Sequence, residues 1–535
     1  MVSHQATKDK SEPSDSQVET ISTANGSESI FDIFRNFGVF SPAFFVTDEE
    51  KAHIKKLSDI QANAIEYQTW FDSSKALDDL LGHNHWKDRP ESTIYDYKLI
   101  QNQSNQLQDA RKSKDHMKLL YLIRTIWSRN IGNIGDTRLF DHSFIGTKRL
   151  IEDYLKECKN SLQDLVDNNN SIDDKELLSN LMKTRQSFGR TALLLSGGGT
   201  IGLLHSGVLK VLVESESLPH IISGSSAGSI VAGMLCTHTD DELLPLFEEI
   251  VNSDSNLFNE TGFEENCFIR VSRFLKHGTF YDNKYINATM ETMFGSLTFL
   301  EAYNRTHRIL NITVSSSDVY EIPKLSNYLT APNVLIRSAA CASCSVPFLF
   351  PSTTLLAKDP LTGKTCPWSD SSVLKYIDGS VDCDIPMARL AEIFNVNHFI
   401  VSQVNPHVSP FMAIPQHTLE RRKKKRETSD DYGDFIINEA VHGFQMINEV
   451  GIAKNITTKF QSILSQRYKG DITILPGSKP MEVLKAFQNP TGEYLRETML
   501  RGEVSTWPMI SLIENHMSIE LALNKAIHKI RARLI

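Results

Sequence analysis

The sequence predicts an α/β fold, with a central and mostly parallel sheet preceded by a helical domain. Three observations carry that expectation. From residue 191 onward, short apolar runs alternate with helical stretches, as strand–helix–strand units require. Two of the junctions are glycine-rich turns, Gly197-Gly198-Gly199-Thr200-Ile201-Gly202 and Gly224-Ser225-Ser226-Ala227-Gly228. Residues 47–188, by contrast, read as mostly helical.

Composition sets the bounds. A chain of 535 residues holds two to four domains at roughly 100–200 residues each. Forty per cent hydrophobic and 23% charged residues allow sizeable cores. A net charge of −9 argues against a dedicated nucleic-acid binder, and no nucleic-acid partner is expected. The seven cysteines are odd in number and scattered, which suits a reducing compartment better than a disulfide framework. Cys341-Ala-Ser-Cys344 lacks the second half of a zinc pair and reads as two small buried thiols. No metal and no cofactor is expected. The first thirty residues lack the apolar stretch of a secretory signal. No run of about 20 apolar residues occurs, so no membrane span is predicted.

The elements follow in order. Residues 1–46 divide into a polar tail, read as disordered, and a phenylalanine-rich segment. Phe31, Phe34, Phe37 and Phe40 recur every three residues, followed by Phe44 and Phe45. These rings either pack on the next domain or wet a lipid surface. The helical domain, 47–188, opens with a capping box, Thr47 to Glu50, on a helix to about residue 65. Its second pattern runs from about 104 to 131 and stops at Gly132. A third covers Lys148–Val166, and a fourth follows Ser171 as N-cap. The α/β domain, 190–405, holds strand-like runs at Ala192–Leu195, Pro219–Ser223, Arg308–Ser315, Leu374–Ile377 and His398–Val404. The extension, 406–535, carries the basic run Arg421–Arg426, read as a solvated face, then a strand at Ile472–Leu475 and a helix at about 515–533.

The first glycine turn matches G-x-G-x-x-G between a strand and a helix, the context of a dinucleotide fingerprint. That reading requires an acidic residue at the end of the next strand. The next strand ends instead in Gly224-Ser225-Ser226-Ala227-Gly228, so the nucleotide reading fails. The second turn fits G-x-S-x-G with Ser226 central, the pattern of a nucleophile elbow. Gly224 and Gly228 remove side chains that would clash in so sharp a turn. The triple glycine 197–199 then has work to do: its backbone N–H groups can reach a tetrahedral oxyanion. Six histidines follow residue 378, namely His398, His407, His417, His442, His516 and His528, and none sits in a motif. One aspartate stands out. Tyr376-Ile377-Asp378-Gly379-Ser380 delivers Asp378 from an apolar run to a glycine turn. Read alone, an Asp-Gly pair is equally a turn cap.

Taken in order, Gly197–Gly202, Gly224–Gly228 and Asp378-Gly379-Ser380 resemble the motifs of the patatin-like phospholipases. The likeness covers roughly residues 50–480. Met117–Arg129 and Thr147–Asp153 resemble the helical domain that precedes patatin in fungal and plant triacylglycerol lipases of lipid droplets. The resemblance implies a patatin-like three-layer sandwich and a Ser–Asp dyad that needs no histidine. Ser226 is then the nucleophile, Asp378 its base, and Gly197, Gly198 and Gly199 the oxyanion hole, with Gly202, Gly224, Gly228 and Gly379 as motif glycines. It implies fatty-acid release from triacylglycerol and related neutral lipids or phospholipids at a lipid-droplet or membrane surface. The protein is then peripheral, on the cytoplasmic side; protein partners are not indicated. Some relatives are also credited with lysophospholipid acyltransferase activity through H-x4-D. That spacing occurs here at His4…Asp9, His83…Asp88 and His277…Asp282, where about one match is expected by chance. A different class stays open: a weakly active droplet protein that recruits other lipid-metabolic enzymes.

Overall fold

The computed structural model describes residues 47–535 apart from 170, 253–271, 277, 317–322, 369–374, 406–467, 478–481, 483–485 and 487. The phenylalanine segment and the basic run lie outside the described residues. The chain forms two compact units, Met1–Lys55 and Lys56–Ile535. Thr47 caps helix α1 (Asp48–Ala62), which runs through the boundary at Lys55: the Thr47 backbone N–H donates to Glu50, and Glu50 N–H donates to the Thr47 hydroxyl at 3.2 Å.

The second unit begins with helices. The predicted helix over 104–131 is two, α2 (Tyr97–Lys112) and α3 (His116–Ile126). Lys114 sits at φ +55°, where a helix cannot continue, and Asp115 caps the new helix by accepting the Lys118 N–H at 2.9 Å. Helix α4 (Arg149–Asp167) falls where its pattern predicts. Helix α5 (Asp174–Phe188) starts later than expected, because its N-cap is Asp173 and not Ser171, whose N–H turns to Asn169.

The sheet is mixed and mostly parallel. Its order is β4-β3-β2-β1-β8-β9, with β7 on the far part of β3. Strand β1 (Arg190–Leu195) pairs in parallel with β2 (Ile221–Gly224) and with β8 (Val396–Ser402), and β2 pairs in parallel with β3 (Ile309–Ser316). Short β4 (Lys324–Ser326) and β7 (Tyr376–Asp378) run antiparallel to β3. A separate hairpin joins β5 (Leu356–Lys358) to β6 (Thr365–Pro367), and β9 (Ile472–Ile474) extends the main sheet beside β8.

Both faces of the sheet are covered, so its central strands read as unbroken apolar runs. Leu193 and Leu195 join a core shared with α4, with α6 (Leu204–Glu214) and with the C-terminal helix α10. Ala192 and Leu194 face the other way, against Leu390 and Phe394. The result is a three-layer α/β sandwich. Helix α7 (Ala227–Thr237) follows β2, α8 (Ile336–Ser343) packs beside β3, and α9 (Gly492–Thr506) lies on α6. Helix α10 (Ile510–Leu534) runs along α4 and α5, with Lys529 2.6 Å from Asp167 and Arg185 donating to Asn524.

A buried ionic cluster ties these parts together at the start of β1. Arg129, after α3, reaches Glu520 of α10 at 2.9 Å and donates to the Thr191 hydroxyl and the His516 carbonyl. Glu520 in turn accepts the Thr191 N–H at 3.0 Å and its hydroxyl at 2.6 Å. His398 stacks on His516 beside them, and His516 Nε2 meets the Gly135 carbonyl at 2.9 Å.

Candidate active site

The other end of β1 is built differently. The chain leaves Leu195 into Ser196 and the glycine turn, and neighbouring β2 leaves Gly224 into Ser226 and α7. Ser226 has φ +50° and ψ −127°, a strained conformation for a residue with a side chain. Backbone approach explains the flanking glycines. A Cβ on Gly224 would sit 2.2 Å from the Gly228 carbonyl oxygen, and one on Gly228 would sit 2.4 Å from that of Leu195. Helix α7 can therefore seat directly on the strand ends. The Ser226 N–H donates to the Ser343 hydroxyl at 2.9 Å, which anchors the elbow to α8.

Asp378 ends β7 opposite Val314 of β3. Its N–H donates to the Ser345 carbonyl, and its Oδ1 accepts the Ser380 N–H at 2.8 Å. It is fully buried, and Oδ2 takes no hydrogen bond of ordinary geometry. Burial pushes this carboxyl up to about 6, against weaker downward pulls from Ser380 and from the Ser226 side chain. Ser226 and Asp378 are thus brought together, in a contact looser than a formed hydrogen bond. Such contacts tighten when substrate closes the site. Gly379 is required because the Thr313 carbonyl comes within 2.3 Å of where its Cβ would lie.

The glycine turn lies against this pair. A Cβ on Gly197 would meet the Cβ atoms of Ser226 and Ser380, each at 3.3 Å. Gly199 has φ +60° and abuts the Ala486 carbonyl. Gly202 packs on Ala227. The three N–H groups are not equivalent, however. That of Gly197 donates to Asp384 Oδ1 at 2.9 Å, so it is not available to an oxyanion, contrary to expectation. Among the described residues those of Gly198 and Gly199 have no acceptor.

Two buried residues here escape sequence reasoning. Asp384 accepts from Gly197 and, at 2.6 Å, from the Asn405 amide. Burial raises its carboxyl to about 7, and the nearby charge of Asp378 adds to the rise. His205 of α6 bridges Ser402 Oγ at 2.7 Å and the Ser196 carbonyl at 2.9 Å. Because a carbonyl only accepts, Nε2 carries the proton and Nδ1 accepts from Ser402. Burial pushes this imidazole down to about 4, so it stays neutral. Among the described residues no histidine hydrogen-bonds to Ser226. His398 and His516 belong to the cluster at the far end of β1, and His528 is exposed.

Other candidates separate from the site. His83 pairs with Asp78 at 2.8 Å and Asp88 with Arg149 at 2.5 Å, so this H-x4-D match forms no pair of its own. Asp282 caps the helix Asn283–Phe294, and His277, His4 and Asp9 lie outside the described residues. Cys341 and Cys344 are buried free thiols, both raised by burial. No helix among the described residues is long and apolar enough to cross a membrane.

A mostly parallel sandwich with a serine on a strand–helix elbow, facing a strand-end aspartate across a glycine turn, defines the patatin class. Residues 193–388 match the family described as patatin-like phospholipase, and residues 46–186 match one described as a domain of unknown function, DUF3336. The chain is 46% identical over 492 residues to triacylglycerol lipase 4 of Saccharomyces cerevisiae, covering 90% of this chain and 54% of that protein. It is 43% identical over 499 residues to triacylglycerol lipase 5 of the same yeast, covering 90% and 66%. It is 38% identical over 468 residues to triacylglycerol lipase ptl3 of Schizosaccharomyces pombe, covering 86% and 95%. The chain belongs to the patatin-like phospholipase family. It spans about half the length of the first of these relatives and just under two thirds of the second.

Proposed function

We propose that this chain is a serine acylhydrolase that releases fatty acids from triacylglycerol, and from related neutral lipids or phospholipids, at a lipid-droplet surface. The names of its relatives support the substrate class. One observation carries the chemistry: Ser226, strained on its elbow, faces a fully buried aspartate that no cation neutralises among the described residues.

Ser226 Oγ attacks the ester carbonyl carbon, and its proton passes to Asp378. An aspartate at its ordinary pKa of 3.8 is a feeble base; one raised to about 6 is stronger and still mostly ionised at pH 7. The carbonyl π electrons move onto oxygen, where the N–H groups of Gly198 and Gly199 and the helix-start N–H of Ala227 receive them. Collapse expels the alcohol, which takes the proton back from Asp378. Water then repeats the cycle on the acyl-serine and frees the fatty acid. Acyl transfer to a second alcohol is the same chemistry with a different acceptor.

The test is a fluorescent serine-hydrolase probe run beside fatty-acid release from triolein emulsion, on the protein and on Ser226→Ala. Labelling and release should both vanish, a loss of more than about a thousandfold, with the fold intact. A folded Ser226→Ala that turns triolein over normally would sink the dyad. Labelling without triolein release would move the substrate to phospholipid or partial glyceride.

A further inference from the structure

The chemistry just described leaves Asp384 without a task, yet it is a carboxyl only 3% exposed beside the reacting serine. It follows the short helix Ser380–Cys383, and its donors include the Gly197 N–H at 2.9 Å, the Asn405 amide at 2.6 Å and, in a looser contact, the Ser225 hydroxyl. The glycine turn has other tethers on either side of Gly197. Upstream, Ser196 is held by the Ser402 carbonyl, by His205 and by the Val404 N–H. Downstream, the Thr200 N–H donates to the Ala486 carbonyl. Between these, the Gly197 carbonyl accepts from the adjacent Ser196 hydroxyl at 3.2 Å, and the Gly197–Asp384 bond ties the peptide that touches Ser226 and Ser380 to a distant segment of the chain.

The Gly197 N–H is taken by Asp384, whereas the next two N–H groups have no acceptor among the described residues. A buried carboxyl is a costly tether for a turn, since burial penalises its charge. An acceptor needed only for stability would be cheaper as an amide or hydroxyl.

We propose that Asp384 is a positioning residue for the oxyanion turn: by accepting the Gly197 N–H and bracing against Asn405, it aims the Gly198 and Gly199 N–H groups at the oxygen that becomes negative when Ser226 attacks. This rests on Ser226 being the nucleophile, and the experiment separates the two claims.

The probe is a long-chain trifluoromethyl ketone. Ser226 Oγ bonds to its carbonyl carbon, the C=O π pair becomes an oxyanion, and the serine proton goes to Asp378. Its affinity therefore reports the turn, whereas KM for a dispersed short-chain ester reports ground-state binding. Asp384→Ala should lower kcat about a hundredfold or more and weaken the ketone by a similar factor, with KM changed about twofold at most. Asp384→Asn, which can still accept from Gly197, should recover to within about tenfold of the parent. A folded Asp384→Ala with unchanged kcat, or unchanged ketone affinity, overturns the proposal. If Asp384→Ala fails to fold, Asn405→Ala removes the brace more gently, and an unchanged kcat there overturns it equally. Ester turnover that survives Ser226→Ala strikes the dyad itself. Turnover lost in Ser226→Ala but kept in Asp384→Ala strikes only the positioning role.

Discussion

Strand β1 carries a buried carboxylate system at each end, and the two are opposites. At its start, Glu520 is matched by Arg129, and Thr191 adds two hydrogen bonds. At its finish, roughly 20 Å along at strand rise, Asp378 lies fully buried and, among the described residues, takes neutral donors only. The first arrangement satisfies its charges and tethers three segments of the chain. The second leaves a carboxyl eager for a proton, which suits a base. Burial alone therefore does not mark a functional acid; the missing counter-charge does.

That contrast can be broken most severely at the start of the strand. Arg129→Met should cost about 3–5 kcal/mol of stability, because Glu520 is then buried unpaired. Denaturant unfolding measures it, and the folded fraction should still react with the serine probe at the parental rate. Unchanged stability would mean that the cluster is incidental.

Asp378→Asn should do the reverse, abolishing turnover while stabilising the chain. The Asp378 carboxyl holds its proton more tightly when folded, about 6 against 3.8, so the folded state loses stability as pH rises through that interval. Removing the charge should recover roughly 2–3 kcal/mol at pH 8 and almost nothing below about pH 4. Equal stability of the two proteins at pH 8 would show that Asp378 carries no such penalty.

The gentlest probe is the acid limb of the rate. Turnover of a soluble ester should be level above neutrality and fall about tenfold per pH unit below about 6, as the base is protonated. The charges of Asp378 and Asp384 interact, so the limb belongs to the pair. A profile flat to pH 4.5 would argue for a different base.

How much of this was legible in the chain depended on whether the cause was local. Strands β1 and β3 could be read because both faces are buried, which leaves runs such as Leu193-Leu194-Leu195, and β8 is buried on both faces from Ile400 onward. Strands β4, β5 and β6 have three residues each, too few to show a period, and β6 is exposed. The break at Lys114 hid inside a continuing helical pattern, although Asp115 is a fair N-cap signal. Ser226 and its glycines were legible because the turn itself dictates those residue types. Asp384 and His205 were not. Their partners Gly197 and Ser402 lie 187 and 197 residues away in sequence, and nothing beside them in the chain announces the meeting.

Glu520 gives the molecule an order of assembly. Its partner Thr191 precedes it by 329 residues, which a ribosome takes roughly 16–66 s to add. Throughout that interval the first strand of the sheet and Arg129 have been made, but the carboxylate that completes them has not. A nascent chain must keep that end solvated or in the care of a chaperone, and it can close its scaffold only when the last helix emerges.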